Sequence, residues 1–330
     1  MPKIVQITHA NQLQPYTGSE IYQGFDVGSL SAHEVDYHVV LVDENNIPHG
    51  RCSLWWQAVP GYTDESLGII GHFYSDSADT TACLLENACN VLRQADCSLA
   101  VGPMDGNTWR SYRFISDRGD ETSFFLEVNN FDAWPKEFMA NGFTEMASYS
   151  SALTEDLTIK DARLTDVYKK LDAQGITVRS LDMDKFEAEL SRIYELSIAS
   201  FQDNFLYTPV DRDSFLAMYV KVKAYVQADL TLLAEHEGKL VGYLFGIPDL
   251  LQKQRGEDID TFIIKTVAVD PKYRGGGLGG LLVGEAQSRA SAMGYKRAIH
   301  ALMYDANKSL NISSHYAKII RRYSLYCQRL

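Results

Sequence analysis

Thr266-Val-Ala-Val-Asp-Pro-Lys-Tyr-Arg-Gly-Gly-Gly-Leu-Gly-Gly-Leu-Leu282 changes character twice within a few turns of chain. A β-branched run ends at Val269, Asp270-Pro271 turns the chain, and Arg274 leads five glycines into an apolar-striped helix. Glycine leaves backbone N–H groups unshielded, and those at a helix start point outward with the positive end of the helix dipole behind them. Such a start can cradle a diphosphate, and Lys272 and Arg274 would add charge-assisted contacts. The competing reading is that the glycines only let helix and strand pack closely. Each glycine costs up to about 1 kcal/mol in a helix, so five near one helix start exceed what packing needs.

Working outward, Phe262–Val269 reads as a buried-type strand, and before it Thr231–Glu235 and Lys239–Ile247 flank His-Glu-Gly as a hairpin. After the glycines, Leu278, Leu281, Leu282, Ala286 and Met293 stripe a helix that closes at Gly294, and Arg297–Met303 is the next strand. The first half repeats this plan. Tyr37–Asp43 and Gly50–Trp56 make a hairpin, Gly68–Tyr74 a buried strand, Leu84, Leu85, Ala88, Val91 and Leu92 a helix stripe, and Ser98–Val101 a strand. Both halves then reach an asparagine, Asn107 or Asn307. The chain is therefore read as α/β with a mixed (α+β) sheet in two copies: residues 1–155, a linker helix within 156–175, and 176–330. Helices are predicted at Asp161–Leu171, Phe186–Ile198 and Ser214–Val226, and a strand at Ile176–Arg179.

The 330 residues are 45% hydrophobic and 22% charged, ordinary for a globular chain. The net charge of −12 sits in the first half, where 20 Asp/Glu face 7 Lys/Arg over residues 1–150. An acidic surplus argues against a nucleic-acid partner. No apolar run approaches the length of a membrane span, and the first residues lack a secretory pattern. Cys52, Cys83, Cys89, Cys97 and Cys327 are odd in number and contain no Cys-x-x-Cys pair, so free thiols in a cytoplasmic protein are expected.

Arg274-x-x-Gly277-x-Gly279, following Val267-Ala-Val-Asp-Pro-x-Tyr, resembles the acyl-CoA signature of the GNAT superfamily of N-acetyltransferases. Gly142-Phe143 ahead of the strand Thr144–Leu153 is also similar to that fold's closing motif. The resemblance implies two tandem GNAT-like domains, each a twisted mixed sheet flanked by helices, with the second binding acetyl-CoA as cosubstrate and no metal. Gly275-x-Gly277-x-x-Gly280 also fits a dinucleotide fingerprint. Five residues separate it from Val269 and too little chain follows, so that reading is rejected.

By resemblance, Arg274, Gly275, Gly276, Gly277, Leu278, Gly279 and Gly280 hold the diphosphate. The main chain of Val267, Ala268 and Val269 lies along the pantetheine arm, and Asn307 contacts CoA. The implied reaction is direct acetyl transfer to a primary amine of a small molecule or peptide. The position many relatives fill with a glutamate base is Lys265, so Glu235 and Asp249, near the ends of the hairpin strands, are the candidate bases, with solvated surface carboxylates as the alternative. The family's tyrosine acid falls on Ser314 or His315, which makes Tyr316 the nearest candidate. An acyl-CoA sensor or scaffold without catalysis is the alternative function. The first half replaces the glycines with Asp79-Thr-Thr-Ala-Cys83 and is expected to be degenerate for CoA. Phe201–Met218 would overhang the acceptor site with Asn204, Tyr207 and Asp211, or serve only as a connection. Trp55 and Trp56 are divided between core and domain interface. His33 and His38 are spaced wrongly for a helical zinc site.

Overall fold

The computed structural model describes residues 2–159, 163–220, 222–306 and 317–330. In the first half β1 (Lys3–Ile7), β2 (Tyr37–Val42), β3 (Pro48–Trp55) and β4 (Leu67–Ser75) pair antiparallel in sequence order. The short helix α1 (Ser29–Ala32) lies between β1 and β2. Helix α2 (Ala78–Gln94) carries the chain from β4 to the parallel strand β5 (Leu99–Gly102). It buries Leu84, Leu85, Ala88 and Leu92 as the periodicity requires. Then follow β6 (Phe114–Asp117), α3 (Trp134–Ala140) and β7 (Thr144–Thr154).

Helix α4 (Arg163–Ala173) joins this half to β8 (Ile176–Ser180), α5 (Phe186–Phe201) and α6 (Arg212–Val220). The hairpin β9 (Thr231–His236) and β10 (Lys239–Pro248) turns at Glu237-Gly238, both at positive φ, as a two-residue hairpin turn demands. Next come α7 (Leu250–Gln254), β11 (Thr261–Val269), α8 (Leu278–Ala292), β12 (Arg297–Tyr304) and β13 (Lys318–Arg329). The helix predicted over Ser214–Val226 is shorter. It ends at Val220, and a separate turn of 3-10 helix spans Lys223–Tyr225. The β-branched Val220, Val222 and Val226 crowd a continuing helix.

The tandem mixed sheets meet edge to edge. Among the described residues the strand order is β1-β2-β3-β4-β5-β13-β7-β12-β11-β10-β9-β8, with β6 also on β13. The closing strands are exchanged. β7, from the first half, pairs with β12 through Ala298 and Thr154, and β13, the last strand, pairs with β5 through Tyr326 and Gly102. The two exchanged strands pair with each other along the seam. One apolar cluster consequently draws Trp55, Ile69 and Met104 from the first half together with Leu206, Tyr323 and Leu325 from the second. Trp55 is in that shared core and Trp56 is half-buried beside the first-half core.

An ion pair crosses the seam. Arg321 of β13 and Glu127 of the loop after β6 are 0% and 1% exposed, with Nε and Oε1 2.8 Å apart. The rest of the guanidinium donates to the carbonyls of Arg118, Glu121 and Thr122, and the Tyr323 hydroxyl donates to Glu127 at 2.6 Å. Deleting one member of a fully buried pair strands the other charge, which costs about 3–5 kcal/mol. Arg321→Ala is expected to lose about that much in urea unfolding, with tryptophan fluorescence, whose four reporters all lie in the first half, and far-ultraviolet circular dichroism of the whole chain shifting together. A loss below about 1 kcal/mol would contradict this role for the seam.

Candidate functional site

β11 and β12 run parallel only over Thr261–Ile264 and Arg297–His300. On β10 the register passes from Phe245 opposite Thr266 to Gly246 opposite Ile264, so Lys265 is an extra, bulged residue. A bulge bends its strand and re-aims the side chain at that point. β12 meanwhile follows β7, with its own register shift between His300 and Met303 and Leu302 at φ +59°. Each strand keeps to its outer neighbour, and a cleft of about 310 Å³ opens between them. Ile264–Val267 form one wall and His300–Tyr304 the other. Thr108, Trp109 and Tyr112 from the first half and residues from Phe201 to Tyr207 after α5 line the rest.

The glycine loop follows directly. Gly275 and Gly277 are at φ +80° and +92°, and Gly277 is the N-cap of α8. The first helical bond there runs from Leu281 N–H to Gly277 O, so the amides of Leu278, Gly279 and Gly280 precede the ladder. The glycines divide between the two readings. A Cβ on Gly277 would lie 2.8 Å from Val167 Cγ1, and one on Gly284 2.2 Å from Leu164 Cδ1, so these two admit α4 against α8. A Cβ on Gly275 would meet nothing within 4 Å, and one on Gly276 only Tyr273 O at 3.4 Å, so these face open space. Arg274 turns away from the loop: it donates to Ser200 O at the end of α5 and lies 3.8 Å from Asp203. Val269 O accepts from the Ser200 hydroxyl at 3.2 Å.

The two candidate carboxylates lie outside the cleft. Glu235 sits between Arg179 at 2.8 Å and Arg192 at 2.6 Å. Hydrogen bonding from Arg179 holds it below the usual range despite partial burial. Asp249 caps α7 and accepts from the Phe125 and Leu251 amides at 2.8 and 3.2 Å. Burial raises its pKa, and it lines a separate polar cavity beside Gln252 and Arg297. Asn307, Ser314, His315 and Tyr316 lie outside the described residues. Asn204 and Tyr207 line the cleft, whereas Asp211 caps α6 through Ser214 N–H. The Tyr207 hydroxyl is buried without a hydrogen-bond partner among the described residues.

Lys265 lines the cleft. Its ammonium donates to Leu126 O at 3.0 Å, and burial, then Arg113, pushes its pKa down to about 8. Sequence reasoning missed the aromatic wall of Trp109, Tyr112, Tyr149, Phe205 and Tyr304. These rings belong to four different segments, and only strand exchange brings them together. The Trp109 indole fixes the contact by donating to Thr208 O at 2.7 Å. The sole sequence signal was the aromatic content of residues 109–112 just past Asn107.

The corresponding place in the first half is filled. β4 and β5 pair over Leu67–Ile69 and Leu99–Val101, and the chain then folds back between them. Met104 N–H donates to Ile70 O at 2.8 Å and His72 N–H to Asp105 Oδ1 at 2.6 Å. A Cβ on Gly71 would sit 2.0 Å from Met104 O. The start of α2 is capped by Ser77, which accepts from Thr80 N–H at 3.2 Å, with Asp79 in its first turn. His38 bonds Tyr22 and Ser53 at 2.8 Å each, and His33 bonds His72 at 2.9 Å. Among the described residues no cluster of His, Cys, Asp or Glu could hold a metal, the five cysteines are free, and no helix is long and apolar enough to cross a membrane.

Residues 190–312 match the model of the acetyltransferase (GNAT) family. No curated protein sequence matches the chain. Among solved structures it is similar to the glucosamine N-acetyltransferase region of a fungal multi-domain GH3 β-N-acetylglucosaminidase, at TM-score 0.57 and 14% identity. That match covers 99% of this chain and 38% of the fungal one, so this chain spans well under half of its length. A GCN5-related N-acetyltransferase from Sphaerobacter thermophilus gives TM-score 0.53 and 13% identity, covering 99% and 95% of the two chains. A tandem GNAT protein from the clavulanic acid biosynthesis pathway gives 0.52 and 10%, covering 100% and 98%. At these identities the likeness is one of fold.

The division of the glycines is testable by stability alone. Gly275→Ala should cost about 1–2 kcal/mol, the left-handed backbone term. Gly277→Ala should cost more, because its methyl also meets Val167, and Val167→Ala in that background should recover about 0.5 kcal/mol or more. Equal losses by urea titration, with no recovery, would contradict the α4 contact.

Proposed function

The chain carries a GNAT-family domain in its second half, and we propose that the β11–β12 cleft transfers an acetyl group from acetyl-CoA directly to a primary amine. The observation that carries this reading is the alignment of two features. The glycine-rich start of α8, where the amides of Leu278, Gly279 and Gly280 precede the helical ladder, adjoins a strand edge that the Lys265 bulge has freed from β12. The residues fit the cosubstrate. Gly275 and Gly276 leave room for a diphosphate, and the freed edge over Val267–Val269 can take an extended arm as an added strand. Bound there, the cosubstrate supplies a thioester. A β11 amide beside it can stabilise the oxygen that gains charge as the amine attacks. The carbonyl of Val269 is already occupied by Ser200, so the arm relies on the other groups of this edge.

Proton handling follows from what lines the cleft. No carboxylate is among the described lining residues. Glu235 and Asp249 are tied elsewhere and are left out of the chemistry. The acceptor amine therefore loses its proton to solvent. Tyr316 keeps the proposed role of donor to the departing thiolate, and Asn307 that of a CoA contact. In the first half, the filled place between β4 and β5 and the capped start of α2 support the proposal that it binds no CoA and instead supplies walls. The five free cysteines suit a cytoplasmic setting for this chemistry. The second reading, an acyl-CoA sensor without turnover, is favoured by one observation: Lys265 stands where a base would.

Thiol release from acetyl-CoA, screened across polyamines, amino acids, aminoglycosides and peptide N-termini, separates the two. An enzyme releases thiol with at least one amine; a sensor binds CoA and releases none. Gly276→Glu, which sets a carboxylate among the loop amides, should weaken CoA binding by at least about tenfold, a little over 1.4 kcal/mol; unchanged affinity would sink the cradle. With no enzyme base, kcat/KM should rise about tenfold per pH unit up to the pKa of whichever acceptor is used. A plateau at one fixed pH for acceptors of different pKa would show a base in the protein.

A further inference from the structure

The rings around the cleft form a continuous surface. Phe205 stacks on Tyr304 with centroids 5.5 Å apart, Tyr304 meets Tyr149 at 5.1 Å, and Tyr149 meets Tyr112 at 5.6 Å. An aromatic wall alone could accept either a flat ring or a cation. The charge around the cleft decides between them.

Of the described lining residues Lys265 alone carries a formal charge at neutral pH, since burial pushes His300 down to about 4. Behind the wall stands a second cation. Arg113 is buried with its guanidinium 3.8 and 4.0 Å from the Tyr112 and Tyr149 centroids. It donates to Leu302 O at 3.2 Å, its Nε has no partner, and no carboxylate is within ion-pair distance among the described residues. The one carboxylate that acts on Lys265 is Glu127, which is already held by Arg321 and Tyr323. Lys265 and Arg113 thus add positive charge beneath an aromatic cleft whose nearby carboxylate, Glu127, is already bound to Arg321. Arg113 already lies against Tyr112 and Tyr149, and an incoming polycation would meet Lys265 with nothing to offset it. An anion placed beside Lys265 would offset this surplus of positive charge.

We infer that the acceptor of this cleft is a small amine that carries both a flat apolar or aromatic body and a carboxylate, with Lys265 as the residue that selects the carboxylate. This rests on the acyl-transfer reading for the word acceptor, while the preference for a ringed carboxylate stands on the cleft itself. A cavity of about 310 Å³ is at the small end of ligand sites, with room for one ring beside the thioester rather than for a polycyclic aminoglycoside.

The test is calorimetry on the full chain with CoA present, using 3-phenylpropionate, phenethylamine and spermidine as probes. The expected order puts 3-phenylpropionate at least tenfold tighter than either amine. Lys265→Gln should lose at least tenfold of that affinity, and Lys265→Arg should keep most of it. Tighter binding of phenethylamine or spermidine to the unaltered protein would overturn the inference, as would a Lys265→Gln loss of twofold or less. Thiol release with phenylalanine set against phenethylamine then separates the two claims. Release that favours phenethylamine overturns this inference and leaves acyl transfer standing. No release with any amine, alongside selective 3-phenylpropionate binding, overturns acyl transfer and supports the site.

Discussion

One inserted residue organises the functional half of this protein. Lys265 breaks the register between β10 and β11 and turns β11 away from β12. A strand that loses a neighbour in mid-sheet leaves its own N–H and C=O groups unsatisfied, and those groups need partners. The glycine-lined start of α8 adds a second set of bare amides at the end of the same strand. The fold therefore places a strand edge released from β12, its Val269 carbonyl taken by Ser200, beside a helix start whose Leu278, Gly279 and Gly280 amides precede the helical ladder. An elongated ligand with a polar arm and an anionic group is what such an arrangement satisfies.

The rest of the molecule keeps that opening from closing. Exchange of β7 and β13 makes the first half a structural neighbour of β12 rather than a separate module. The buried Arg321–Glu127 pair fixes the loop carrying Leu126, whose carbonyl receives the Lys265 ammonium. Residues 108–112 reach across to roof the cleft, anchored by Trp109 on Thr208. The same architecture in the first half has the opposite outcome. β4 is bulged as well, its register with β3 shifting between Arg51 and Ser53, but there the chain at Met104 and Asp105 fills the gap between β4 and β5, and Ser77 caps the start of α2. The same order of elements thus leaves a cleft in the second half and a filled place in the first.

Much of this was legible in the residues. The period of three and four in α2 and α8, the apolar runs of β4 and β11, and the Gly-containing hairpin turns are local signals, and each element forms close to where its pattern lies. Other features were not legible for a physical reason. Strand exchange depends on which long strand pairs best with which edge, and β7 and β13 carry no local mark of their partners. The aromatic wall follows from that exchange, so it was hidden too. Glu235 and Asp249 looked available because a sequence shows a carboxylate but not the guanidinium groups or amides already bound to it. The glycines mark the start of α8, yet Gly277 and Gly284 serve contact with α4, which no spacing within the loop reveals.

The most direct test of the account is a crystal structure of the chain with coenzyme A. The account places the diphosphate within hydrogen-bond distance of main-chain N–H groups in Gly275–Gly280, and the arm along the β11 edge past Lys265 toward the aromatic wall. Coenzyme A bound elsewhere, or a β11 edge that zips onto β12 when the ligand is present, would contradict it.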